Sequence, residues 1–268
     1  MASFSIVSNI ASVNAQANLQ NTSIGLNRAL TRLSSGLRIN MSGDDAAGLA
    51  VANQYRSEIA ILNQGIRNAN DGLSVLQTAD GALANISTLL DRLATLATQA
   101  ASTSNGVDIS KLSFEYGKVI EEIDRQASVA GLNQTMNFSV FVSSETNVVD
   151  GVITGVIDAV GSTNLGLNTT SFADAATAQA ALAEVTAAID ALGDVQNSVG
   201  TLENRLSFAI SLAQSQIVNT KAAESRIRDA NIAEESANMT RFNILSQSGI
   251  AALAQANQTS AAVLALLR

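Results

Sequence analysis

Asp44 and Asp45 stand side by side, and adjacent carboxylates are candidates for acid–base work or for holding a cation. No companion ligand lies near them in the sequence. Ser42-Gly43-Asp44-Asp45 instead fits a capping box, a hydroxyl followed three residues on by a carboxylate, ahead of an apolar-periodic run. Helix capping is therefore the expected role. The chain has no histidine and no cysteine, which removes ordinary zinc sites, thiol nucleophiles and imidazole bases. It has no glycine-rich phosphate loop either. The expectation is a protein that is not an enzyme and needs no cofactor or metal. Asn137-Phe138-Ser139 and Asn168-Thr169-Thr170 have the form of N-glycosylation sequons, a pattern that arises by chance in a chain this rich in Asn, Ser and Thr.

The elements that would position these residues follow from composition. Of 268 residues 47% are hydrophobic but only 3% aromatic, and proline is absent, so the commonest helix breaker is missing. The net charge of -8, with no basic patch, argues against nucleic acid as a partner. MASFSIVSNI has no basic n-region, so no Sec signal is expected. Polar residues interrupt every apolar run, so no membrane insertion is expected.

Charge is distributed unevenly. Residues 1–43 contain no acid and only Arg28, Arg32 and Arg38 as bases, and residues 242–267 carry no charge. Apolar stripes at helical spacing run through both ends: Ile6, Ile10, Val13, Ala17, Leu26, Leu30, Leu33, Leu37 at the start and Leu253, Ala256, Val263, Leu267 at the finish. A long helix after Asp44 carries Ile59, Leu62, Ile66, Ala69, Leu73, Leu76 and, after a phase slip near Asp80, Leu83, Ile86, Leu90, Leu93, Ala97. Gly65, Gly72 and Gly81 inside it read as sites of close helix approach. Asp108 caps a further helix whose stripe is Leu112, Tyr116, Val119, Ile123, Ala127, Ala130, ending at Gly131. Phe138 to Val142 alternates, and Val148-Val149-Asp150-Gly151-Val152-Ile153 reads as a hairpin turning on Asp-Gly. Ser171 to Asp174 repeats the capping pattern ahead of Leu182, Val185, Ile189, Leu192, Val199, Leu202, Leu206, Ala209. The fold class is mainly α, long antiparallel helices in a coiled-coil bundle with a small β-hairpin region mid-chain.

Several strings then match one family. Leu33-Ser34-Ser35-Gly36-Leu37-Arg38-Ile39-Asn40, Asp44-Asp45-Ala46-Ala47-Gly48-Leu49-Ala50, Arg67-Asn68-Ala69-Asn70-Asp71-Gly72 and Gln77-Thr78-Ala79-Asp80-Gly81 resemble the amino-terminal signature of bacterial flagellins. Ser225-Arg226-Ile227-Arg228-Asp229-Ala230, Leu253-Ala254-Gln255-Ala256-Asn257-Gln258 and the closing Val263 to Arg268 resemble the carboxyl-terminal half. The likeness covers roughly residues 1–130 and 175–268. About forty residues separate the helical halves, so the chain resembles a short flagellin lacking the variable outer domains.

The resemblance implies a structural subunit that polymerises into the extracellular flagellar filament and leaves the cell through the flagellar type III apparatus. A few-copy hook–filament junction protein is the alternative. Residues 1–43 and 220–268 would form the inner coiled-coil domain, and residues 44–219 a helical bundle with a β-rich segment at about 132–171. Implied partners are many copies of the same chain, an export chaperone on the carboxyl-terminal segment, and hook-associated and cap proteins. Physical reasoning agrees for the ends. A buried Leu or Ile contributes about 1.5–3 kcal/mol whereas ordering a residue costs about 1–2 kcal/mol, so a narrow stripe needs neighbours to complete it. Ile6, Ile10, Val13, Leu26, Leu30, Leu33, Leu253, Val263 and Leu267 are the candidate assembly core. The family likeness also raises Toll-like receptor 5, through Arg92 and Leu96. A solvated arginine beside core leucines is the favoured competing reading. Ser143, Ser144, Thr169 and Thr170, in a segment expected to face outward, are candidates for O-linked sugar.

Overall fold

The computed structural model describes residues 9–102, 108–143 and 151–266, with side chains as far as Gln258. Among the described residues are five helices and one two-stranded sheet. In chain order they are α1 (Ile10–Ser35), α2 (Ala46–Ala101), α3 (Ile109–Val129), β1 (Met136–Phe141), β2 (Val152–Ile157), α4 (Ala175–Arg228) and α5 (Ile232–Leu266). The chain is mainly helical, with a small antiparallel hairpin mid-chain. Contacts divide it into two compact units, Met1–Ser57 with Thr220–Arg268, and Glu58–Asn219.

The helix boundaries are set by side chains that satisfy exposed amide donors. The Asn9 side chain accepts from the Ser12 amide at 3.1 Å to start α1, and Gly36, at φ 72°, ends it. Both predicted capping boxes are corrected by three residues. Asp45 itself accepts from the Gly48 amide at 2.9 Å, and Asp174 from the Thr177 amide at 2.8 Å. The acid, not Ser42 or Ser171, is the cap, and each helix begins one residue after it. Asp108 precedes α3 as expected but makes no capping bond; its carboxylate takes the Ser110 hydroxyl instead. Gly131, at φ 72°, stops that helix, and the Leu132 amide returns to the Ala127 carbonyl at 2.7 Å.

In the second unit α2 presents an unbroken heptad seam. Leu62, Ala69, Leu76, Leu83, Leu90 and Ala97 are buried at one seam position, and Gly65, Gly72, Ala79, Ile86, Leu93 and Ala100 at the other. There is no phase slip near Asp80; the apparent slip comes from two glycines and an alanine occupying buried positions that a search for large side chains skips. The α4 seam is equally regular, with Ala178, Val185, Leu192, Val199, Leu206 and Ala213 alternating with Ala181, Ala188, Val195 and Leu202. Ile189, placed on the seam by the sequence, is exposed beside it. Tyr116, Ile120, Ile123 and Ala127 of α3 join the same cluster. The Tyr116 ring meets Phe172 edge-on at 5.2 Å, while its hydroxyl is buried with no hydrogen-bond partner.

The hairpin lies against α2 and α4 of this unit. A Cβ at Gly65 would stand 2.2 Å from the Val142 carbonyl oxygen, one at Gly72 would stand 2.8 Å from Val140 Cγ2, and Gly155 of β2 leaves room for Leu202. Gly65 and Gly72 therefore admit the hairpin, not a helix as expected, and Gly81 faces open space. The expected Asp-Gly turn is also corrected. Val152 pairs with Phe141 and Ile153 with Val140, so Gly151 ends the connection between strands; Val148, Val149 and Asp150 lie outside the described residues. Asn68 Nδ2 donates to the Phe141 carbonyl at 3.3 Å and Arg205 Nη1 to the Thr154 carbonyl at 3.1 Å, giving partners to strand groups that a two-stranded sheet leaves open. The connection to α4 is tied down by Asp124, which accepts the Ser162 amide and hydroxyl at 2.7 and 2.8 Å.

Candidate functional site

Long helices with many small residues offer extended packing surfaces. In the first unit α1 and α5 pack antiparallel. Leu19 lies against Gly249, Gly25 against Phe242, and Arg32 pairs with Glu235 at 3.2 Å. Asn9 Nδ2 donates to the Ala256 carbonyl at 2.9 Å near the far end. The near end is closed by backbone: the Arg38 amide donates to the Arg228 carbonyl at 2.7 Å and the Ala230 amide to that of Gly36 at 2.9 Å.

The residues turned toward the partner helix are mostly small or polar. On α1 they are Ser12, Ala15, Leu19, Thr22, Leu26, Ala29 and Leu33; on α5 they are Glu235, Met239, Phe242, Ser246, Gly249, Leu253 and Ala256. Each set alternates steps of three and four, the spacing of a two-helix seam. Only Ala29 and Glu235 in these sets are fully buried. Other large aliphatics lie off the seam or are left open: Ile10, Val13, Ile24 and Leu30 of α1 and Ile232, Ile244, Leu245 and Ile250 of α5 are between 46% and 62% exposed. Many exposed large apolar side chains on one helix pair are a feature of surfaces that other protein covers. A groove of about 660 Å³ runs beside the seam between Ala11, Asn18, Leu19, Leu245 and Ala252.

The sequence-derived assembly core is thereby split over two faces. Leu26, Leu33 and Leu253 belong to the intramolecular seam, half-buried, whereas Ile10, Val13 and Leu30 point outward. Ile6 and Leu267 lie outside the described residues, as does the Val263 side chain. Ile24, Ile244, Leu245 and Ile250 were not placed in that core, because they lie off the seam spacing. Phe242 was marked by being the only aromatic of the carboxyl-terminal helix.

In the second unit Arg92 is exposed and grips Glu115 of α3, but Leu96 is 1% exposed. It sits on the core side of α2, so the predicted receptor surface keeps its arginine and loses its leucine. Thr169 is half-buried, its amide and hydroxyl held by Glu184 at 2.9 and 3.1 Å, which removes it from the freely accessible hydroxyls. Thr170 is exposed, Ser143 half-buried, and Ser144 outside the described residues.

Asp44 and Asp45 are turned to backbone. Asp44 accepts from the Asn40 and Met41 amides at 3.2 Å each, and the Asn40 amide first of all holds its carboxyl below the usual value. Asp45 caps α2. No group of three or more potential ligands that could hold a metal occurs among the described residues, and no described helix is long and apolar enough to cross a membrane.

Comparison with known proteins gives this surface its context. The family profile described as the bacterial flagellin N-terminal helical region matches residues 6–140, and that of the C-terminal helical region matches residues 182–267. The chain is similar to a flagellin of Halalkalibacterium halodurans, 37% identical over 97% of this chain and 98% of that one. It is also similar to one of Bacillus subtilis, 35% identical over 97% and 98%, and to one of Listeria monocytogenes, 34% identical over 94% and 95%.

Proposed function

The chain belongs to the bacterial flagellin family and is a structural subunit of the extracellular flagellar filament, and from that premise we propose that its terminal helices, residues 1–43 and 220–268, form the inner layer where copies pack together. The observation that supports this is the set of apolar side chains Ile10, Val13, Ile24, Leu30, Ile244 and Ile250, each more than half exposed among the described residues. Residues 44–219 form a helical bundle of their own. The uncharged stretches, residues 1–27 and 242–267, suit the role, because identical copies side by side would otherwise set like charges against one another. Contacts repeated head to tail generate an open helical polymer when the rotation between copies does not close.

Removal of residues 242–268 is expected to abolish filaments while leaving the helices of Glu58–Asn219 folded, read by electron microscopy and circular dichroism. Filaments of ordinary length from the truncated chain refute the proposal. Unlimited elongation from filament seeds distinguishes the filament subunit from a junction protein. The family is structural and not enzymatic, and no catalytic activity is proposed for this chain. Passage through the flagellar type III apparatus, a chaperone on the carboxyl-terminal segment, and contact with hook-associated and cap proteins complete the reading. A pull-down in which deletion of residues 242–268 leaves chaperone binding intact counts against that site. Toll-like receptor 5 would meet Arg92 without Leu96, so Arg92→Ala is expected to lower any receptor response in reporter cells. Thr170 is the accessible candidate for O-linked sugar, tested by intact mass with and without Thr170→Ala.

A further inference from the structure

We propose that the terminal coil carries a register lock built from two reciprocal glycine notches, Gly25 admitting Phe242 and Gly249 admitting Leu19. The inference deepens the assembly reading above and rests on it for its purpose, though not for its geometry. A heptad seam is self-similar: sliding one helix by seven residues, about 10 Å, restores the same spacing. The seam between α1 and α5 is especially open to sliding, because most of its residues are Ala, Ser, Thr or single leucines that tolerate one another in several offsets. Something must select one offset.

Each helix contains a single glycine within its bounds, Gly25 in α1 and Gly249 in α5. A Cβ at Gly25 would lie 2.6 Å from two ring atoms of Phe242, so the ring occupies space that any other residue would fill. A Cβ at Gly249 would lie 3.2 Å from Leu19 Cδ1. The two notches point opposite ways, a large side chain from each helix entering the other. A slide of seven residues in one direction sets Phe242 against Asn18 and Leu19. In the other direction it sets Phe242 against Arg32, and both slides separate Arg32 from Glu235. Glu235 is only 8% exposed, so loss of its 3.2 Å partner strands a carboxylate in the seam. Fixing register is the best-attested use of such a pair. A slid coil would also shift the exposed apolar residues of α1 relative to those of α5, so the lock makes every copy present the same surface to its neighbours.

The chain has no cysteine, which allows register to be read by disulfide trapping in the full-length soluble protein, with trimethylamine oxide present to favour compact states. The Leu19–Gly249 pairing brings Thr22 opposite Ser246, and a one-heptad slide brings it opposite Met239 or Leu253. Thr22→Cys with Ser246→Cys is expected to trap at least about tenfold more than Thr22→Cys with Met239→Cys or Leu253→Cys, since overfilling even one notch disfavours an offset by about that factor. Adding Gly25→Ala and Gly249→Ala is expected to bring the ratio toward parity, and Phe242→Ala with Leu19→Ala on the unchanged glycines, which empties both notches, to do the same. The sign separates a notch from an idle glycine, because alanine in an unconstrained helix strengthens it and would leave the in-register product at least as abundant. Parity in the otherwise unchanged pair, or a ratio insensitive to both glycine substitutions, overturns the lock. Filament formation is not needed for this measurement, so failure of the assembly reading and failure of the lock give different results.

Discussion

A carboxylate three residues after a serine satisfies two patterns at once, because the acid can be the reciprocal partner of a hydroxyl cap or the cap of the next turn. Asp45 and Asp174 take the second role, since a charged oxygen is the stronger acceptor for an amide at a helix start. Asp45→Ala is therefore expected to cost about 1 kcal/mol and Ser42→Ala close to nothing, read as paired thermal melts. The Asp174 carboxyl is held below its ordinary value of 3.8, first by the Thr177 amide and then by its hydroxyl. A depressed acid stabilises the fold above its unfolded value and loses that contribution as pH falls through the lower folded value. Acid should thus weaken the start of α4 below about pH 4, and Asp174→Asn, which keeps an oxygen at the cap without titrating, should flatten that part of an acid-unfolding curve.

At the scale of elements, the long helices were legible because leucines and isoleucines recur at heptad spacing, and one stop was legible at Gly131; Gly36, also at positive φ, ends α1 before the Leu37 that the apolar stripe included. What sequence obscured was the buried small residue. Gly65, Gly72 and Ala79 belong to the α2 seam, and the apolar pattern alone reads them as a gap. The same effect blurred the face of α1: Ser12, Ala15, Thr22 and Ala29 share the seam with Leu19, Leu26 and Leu33 while Ile10, Val13 and Leu30 are exposed, so large side chains marked both surfaces and small ones completed the seam. The hairpin partner was missed because Asp-Gly is a strong local signal, whereas the pairing of Val152 with Phe141 spans a longer connection. Glycines of equal appearance consequently differ in cost. Gly65→Ala is expected to destabilise by about 1–3 kcal/mol or more, since the obstacle is a fixed carbonyl. Gly81→Ala, with open space around it, should stabilise by about 0.5–1 kcal/mol; denaturant midpoints of the two variants test the contrast.

For the molecule as a whole, family and polymer role were readable from strings at both ends of the chain, and the structure adds how the outward apolar rows differ from the seam. The Glu58–Asn219 unit has a continuous buried core of its own, while the terminal pair relies on notches, one ion pair and backbone closure. The core also holds one spectroscopic consequence. Tyr116 is one of two tyrosines in a chain without tryptophan, and burial, with Glu184 adding to it, pushes its phenol up to about 12. A raised phenol favours the folded state below its unfolded value and ceases to do so as pH climbs through the higher folded one. Alkaline titration of the ultraviolet tyrosinate band should therefore show a late component that coincides with loss of helical dichroism and vanishes in Tyr116→Phe. Such a component gives a label-free optical gauge of whether the bundle is intact, usable on free subunits and on filaments alike.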